Sequence, residues 1–426
     1  MKSINYKRII TYSLYAALLV VLVLWNNATP PPMPLRISFL LILCLPIIFY
    51  SKSIFPLILI VFCTVSKFSP YPTYMPTEPN IYFIYVGSVL LLSFRGLSHR
   101  IRFPSELLLL AIYTILVDML MGGRITSVSY CLLTLFLLSF FCDGTSLRFL
   151  HALPYGFVLA SRVLSIIYLR SMCEFATLVD ASQDIERVEW TDPNYFGFVI
   201  GMGVVCAINL MFQKQAKSRV VLILLIATII GSSIVLVLNA SRGALLSVLI
   251  VALIIILFSK TRTVIKIGAV LFGIGLVYFL YSGGYMELLM YRISQGVGDG
   301  GGGRINIWQK KLFTFFNEAN VGELLFGIGY YNGYFLGYGH GQGFHNDFIA
   351  FLVDYGLVGF ILFVVPLIRL LIGSFRINVS LFCTCLYLIL CGMTIEPFTL
   401  GVFPYFLFFI YVIFAVHREK GQQYAY

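Results

Sequence analysis

Long apolar runs recur along almost the whole chain, and no other feature constrains its fold as much. The run from Val220 to Leu238 is typical, with Thr228, Ser232 and Ser233 its only polar side chains. A helix rises about 1.5 Å per residue, so about 20 apolar residues cross the hydrocarbon core of a bilayer. Inside lipid every backbone N–H and C=O must be satisfied by protein, which leaves helices and closed barrels. The runs are continuous rather than alternating, which excludes a barrel. Residues 1–426 therefore read as a single all-α integral membrane domain of about 14 transmembrane helices. The predicted spans are roughly 8–25, 36–50, 54–68, 80–95, 104–121, 125–142, 147–169, 194–212, 219–238, 242–259, 264–282, 347–369, 379–395 and 399–417. Pro46 and Pro56 make the second and third a candidate broken or re-entrant pair.

Composition closes off the alternatives. The chain is 60% hydrophobic and 11% charged, with a mean hydropathy of +0.94. A soluble domain carries roughly 25% charged residues. A soluble enzyme, a disordered chain and a secreted disulfide scaffold are excluded together. Of nine cysteines, only Cys173 falls in a polar stretch, so neither a disulfide framework nor a metal knuckle is expected. Met1 to Trp25 has a basic start and a long apolar run without a small-residue cleavage site, and reads as a first span.

The net charge of +11 is unevenly placed. Lys2, Lys7, Arg8, Lys52, Arg95, Arg100, Arg102, Arg148, Lys214, Lys217, Arg219, Lys260, Arg262, Lys266, Arg369, Arg376, Arg418 and Lys420 fall at alternate ends of the spans. Basic residues collect on the cytoplasmic side, so both termini are expected there. This accounts for the basic excess without nucleic acid. Two loops are then extracytoplasmic. One is acidic, 170–193. The other, 283–346, is the longest; it holds the Gly-rich stretch Gly296–Gly303, then a predicted amphipathic helix from Arg304 to Asn317. Ile305, Trp308, Leu312 and Phe315 or Phe316 share one face of that helix. A loop of this length is usually functional or disordered, and its aromatic content argues for function.

Residues able to carry chemistry gather on that side. Arg242 opens a span in Ala-Ser-Arg-Gly-Ala-Leu-Leu, 240–246; Arg292 precedes the Gly-rich stretch; Arg304 opens the loop helix. Guanidinium groups suit pyrophosphate, because their planar fork donates paired hydrogen bonds to phosphate oxygens. His345 precedes the span at 347, where the positive end of the helix dipole favours a neutral imidazole able to accept a proton. Structural roles compete with each. Arg242 also suits an interfacial anchor, Arg304 lipid head groups, and Asn346 or Asp347 an N-cap. His340, in Gly-His-Gly, also reads as a plain loop residue. Tyr338 and its neighbours fit sugar stacking or an interfacial aromatic belt. Asp192-Pro193 reads as the N-cap and first residue of a helix that continues with Asn194. Asp118 and Arg162 are buried charges within spans and functional candidates by default. The Gly-rich stretch lacks the Gly-Lys-Ser/Thr of a P-loop, and His340, His345 and Asp347 lack zinc-protease spacing, so no metal is expected.

Three stretches together resemble the O-antigen polymerase and O-antigen ligase superfamily of polytopic bacterial glycosyltransferases. They are residues 240–246, Gly-Arg-Ile-Asn-Ile-Trp at 303–308, and His-Asn-Asp-Phe-Ile-Ala-Phe-Leu-Val-Asp-Tyr-Gly-Leu-Val-Gly at 345–359. Asp192-Pro193-Asn194 is similar to a segment of many members. The resemblance covers about 190–365; before that it extends only to being a helical bundle.

The resemblance implies an undecaprenyl-pyrophosphate-linked oligosaccharide donor reached through membrane lipid, at the periplasmic face of the bacterial inner membrane. It implies Arg242 and Arg304 as catalytic groups on the pyrophosphate and His345 as general base. Arg292, Asn346, Tyr338, His340 and Asn194 would bind substrate, with no cofactor. It also implies a partner that regulates chain length. The reading preferred here is a polymerase of O-antigen or related surface polysaccharide, transferring glycan to another lipid-linked repeat unit. A ligase acting on lipid A core is the alternative within the family, and a transporter of lipid-linked oligosaccharide is the alternative of another class.

Overall fold

The computed structural model describes residues 105–121, 147–179, 193–212, 219–298, 303–338 and 341–396. Among them the regular secondary structure is helical, with no strand. The helices, in chain order, are α1 (Ser105–Leu120), α2 (Leu147–Val179), α3 (Pro193–Phe212), α4 (Arg219–Leu238), α5 (Arg242–Phe258) and α6 (Thr263–Ser282). They continue as α7 (Glu287–Gly298), α8 (Arg304–Glu318), α9 (Val321–Phe326), α10 (Tyr330–Phe335), α11 (Asp347–Ile377) and α12 (Val379–Gly392).

Four of the described helices, within α3, α4, α6 and α11, are long and apolar enough to cross a membrane; α1, α5 and α12 hold shorter apolar helices. The spans predicted near 8–25, 36–50, 54–68, 80–95, 125–142 and 399–417 lie outside the described residues. Helix α2 is longer than the span expected over 147–169. It runs to Val179, so residues 170–179 of the expected acidic loop are helical. No Gly or Pro interrupts that stretch, and polarity alone does not end a helix.

Helix α3 is the axis of the bundle, packed by α2, α4, α5 and α12. From Phe196 to Leu210 it is buried all round. An all-apolar helix is stable only when covered on every side. Close approach comes from small residues, as in membrane bundles generally. A Cβ added to Gly203 would lie 2.1 Å from that of Ser161 on α2. Hydroxyls supply the polar contacts: Ser161 Oγ donates to the Ile200 carbonyl at 3.1 Å and lies 2.8 Å from Ser232 Oγ on α4. At the rim, α6 exposes Val264, Leu271, Ile274 and Tyr278, as expected of a lipid-facing helix.

Helix α11 is two helices meeting at Gly356, which has φ 66° and ψ −172°. The break frees carbonyls of the preceding turn, and other elements supply the donors. Ile328 N–H donates to the Val353 carbonyl at 3.2 Å and Gly329 N–H to that of Asp354 at 2.8 Å. Tyr113 O–H donates to the Tyr355 carbonyl at 2.8 Å. The chain after α9 is thus sewn to the break in α11. Only glycine fits there: a Cβ on Gly356 would stand 2.4 Å from the Gly327 nitrogen, at a φ side chains avoid.

Candidate active site at a turn where five helices begin or end

Helices α8, α9 and α10 cover the first turns of α11 through a small apolar core of their own. Phe315, Phe344, Ala350 and Val353 are its buried members. Of the two expected phenylalanines, Phe315 is the inward one, while Phe316 is exposed. Ile305, expected on the same face, is exposed as well, because the face turns away at the first turn of α8. Trp308 faces inward: its indole N–H donates to the Phe344 carbonyl at 2.6 Å.

The turn 343–346 lies directly before α11. Asn346 is its N-cap, accepting the N–H groups of Phe348 at 2.9 Å and Ile349 at 3.1 Å. Its amide donates to the Met393 carbonyl at 3.1 Å, tying the turn to the end of α12. His345 is half-buried and left-handed, with φ 53°. Its main-chain N–H donates to the Glu396 carboxylate. The main-chain N–H of Glu396 in turn donates to Tyr195 Oη on the first turn of α3 at 3.3 Å.

Arg242, half-buried, opens α5 after the left-handed Ala240. Next to it, Gly243 packs on Thr394, two residues from Glu396. Arg304 opens α8 one turn before Trp308, and Asn194 precedes Tyr195 on α3. The starts of α3, α5, α8 and α11 and the end of α12 therefore converge on one turn. Arg292 lies on α7 one turn after Leu289, which packs against Ala240. Tyr338 lies under Lys310, whose Nζ is 4.2 Å from the ring centroid. His340 lies outside the described residues. Asp118 receives the Tyr330 N–H at 3.4 Å and the Tyr355 O–H at 3.4 Å, so it braces α10 and α11 at the end of α1.

Two groups absent from the predicted site lie beneath the turn. Lys311, on the inner face of α8, is fully buried. Its ammonium donates to the carbonyls of Gly333 at 2.6 Å and Tyr334 at 3.1 Å and sits 4.1 Å from the Phe344 ring centroid. Burial lowers its pKa to about 8, while Asp354 and Glu396 oppose the drop. Glu396 is likewise buried. Burial raises its carboxyl to about 8 and Asp347 adds to the rise, against the N–H groups of His345 and Asn346 and the charge of Lys311. Burial also holds the Tyr330 hydroxyl above its usual range, with Asp354 and Glu396 contributing. Both groups left a trace in the sequence. Lys311 is three residues after Trp308 and four before Phe315, inside the apolar stripe. Glu396 is an acid in a very short gap between two apolar runs.

Helix starts present N–H donors and positive dipole ends, and two of these starts carry an arginine. Such a place can take up anionic charge beside an imidazole. Residues 226–364 match the family model of the O-antigen ligase. Over these residues the match supports the likeness to the O-antigen polymerase and ligase superfamily. No curated protein matches it. The matched segment runs from α4 into α11 and contains Arg242, Arg292, Arg304, Lys311 and His345, but not Asn194 or Glu396. The family supports a bacterial membrane enzyme of glycosyltransferase type in O-antigen or surface-polysaccharide assembly.

Proposed function

We propose that this protein is a polymerase of O-antigen or a related surface polysaccharide. It transfers a glycan from an undecaprenyl-pyrophosphate-linked donor to the non-reducing end of a lipid-linked repeat unit, on the periplasmic face. Both termini are cytoplasmic in this reading, following the basic loops. The observation that carries it is the convergence of the helix starts bearing Arg242 and Arg304 on the turn that holds His345.

In the reaction, His345 takes the proton of the acceptor hydroxyl as its oxygen bonds to the anomeric carbon. The bond from that carbon to the pyrophosphate oxygen breaks, and its electron pair leaves with the lipid pyrophosphate. Arg242 and Arg304 meet the developing charge, and Arg292 helps to bind the substrate. Asn194, Tyr338, His340 and Asn346 bind the substrates. No metal or nucleotide enters the scheme. A chain-length regulator is the expected protein partner. A transporter of lipid-linked sugar would instead concentrate polar groups at the bilayer midplane.

The family description favours a second reading, a ligase that transfers glycan to lipid A core. Deleting the gene and running extracted lipopolysaccharide on a gel separates the two. Core carrying a single repeat without a ladder supports the polymerase. Bare core with polymer retained on the lipid carrier supports the ligase. The base is tested by His345→Asn, since asparagine tolerates the left-handed backbone better than alanine. Loss of product with normal membrane insertion is expected; wild-type activity would refute the role.

A further inference from the structure

We infer that Glu396 is a positioning residue for His345, its carboxyl oxygen fixing the main chain at 345 in the conformation that directs the imidazole. The inference rests on the reading of His345 as the base.

A left-handed non-glycine residue is strained and persists only where its surroundings over-determine it. At 345 the surroundings do so. The N–H is bound by Glu396, the following side chain caps α11 and grips Met393, and the preceding carbonyl is bound by Trp308. Of these ties, Glu396 alone bonds residue 345 itself. A carboxyl oxygen accepts that N–H in either protonation state, so the tie holds across neutral pH.

Position 396 is also a costly place for a carboxyl group, ionised or not. It is 2% exposed, close to Asp347 and Asp354, with Lys311 the nearby compensating charge. An apolar residue would cost less there. The carboxylate lies directly under the turn, where a Cβ on Gly343 would be 3.4 Å from Glu396 Oε1. Tyr195 holds the Glu396 main chain, so the acceptor is itself fixed.

The test uses the full-length protein in lipid nanodiscs. The probe is lipid-linked oligosaccharide extracted from the host lacking this gene, and kcat and KM are measured for Glu396→Ala, Glu396→Gln and His345→Asn. Glu396→Ala should lower kcat about 100-fold, the usual consequence of a misplaced reacting group, with KM within about twofold. Glu396→Gln should recover to within about tenfold of wild type, because the amide oxygen can accept the same N–H. A wild-type kcat in Glu396→Ala would overturn the inference, as would a loss carried by KM. So would failure of both Glu396 variants to fold where His345→Asn folds, which would make the role one of stability. An active His345→Asn would instead strike the parent reading, whatever the Glu396 variants do.

Discussion

The bundle around α3 and the cluster beneath α8, α9 and α10 are both buried, yet they are held by opposite means. Around α3 the side chains are apolar or small, and the polar contacts are single hydroxyls such as Ser161, Ser165 and Ser232. Beneath the loop helices lie Asp347, Asp354, Glu396 and Lys311, all nearly inaccessible. Packing of the first kind loses a little with each lost contact. Removing one member of the second strands charge or carbonyl oxygen without water. The molecule thus joins a tolerant membrane scaffold to an intolerant site.

The sharpest break should come at the seam between them. Gly356→Ala forces a Cβ into the backbone of residues 325–327 at a positive φ. A loss of about 3 kcal/mol or more is expected in thermal unfolding, with loss of activity. The contrasting Gly231→Ala, on α4 with nothing within 4 Å of the added Cβ, should be neutral or stabilise by up to about 1 kcal/mol. If both behave alike, the contrast fails.

Lys311→Met tests the cluster itself. It leaves the carbonyls of Gly333 and Tyr334 without their donor and the acids without their nearby cation. Destabilisation of about 3 kcal/mol is expected. The double variant with Asp354→Asn should cost less than the sum, since the two groups interact. Strict additivity would show that they do not.

Dependence on pH should separate the regions next. The Glu396 carboxyl is raised from 4.5 to about 8 in the folded chain. Between those values the folded state holds a proton the unfolded state has released, so stability falls as pH rises across that window. Lys311, lowered from 10.5 to about 8, acts oppositely: its contribution is present above 10.5 and is lost as pH falls through 8. Glu396→Gln should flatten the melting temperature between pH 5 and 8, whereas Ser232→Ala should leave its slope unchanged. An unaltered slope in Glu396→Gln would show that another group titrates there.

The smallest effect belongs to the scaffold. Ser232→Ala removes the hydroxyl shared with Ser161 and Ser165, and about 0.6 kcal/mol is expected, as for hydrogen bonds between membrane helices. A loss of several kcal/mol would mean the bundle is held by polar contacts after all.

The long apolar helices and α8 were legible in the sequence, but not α7, α9, α10 or the extension of α2 to Val179. Apolar length and periodicity are local properties, and the starts at Pro193, Arg242, Arg304 and Asp347 followed from them. The sequence by itself also supplied Arg242, Arg304 and His345 as candidates, because their residue types and motifs can be read one position at a time. The tertiary structure decided the rest. It chose Phe315 over Phe316, turned Lys311 inward, broke α11 at Gly356 and brought Glu396 to His345. These depend on partners far along the chain: 51 residues separate Glu396 from His345, and 237 separate Tyr355 from Asp118. Such pairings arise from packing between helices, which periodicity within one helix does not encode.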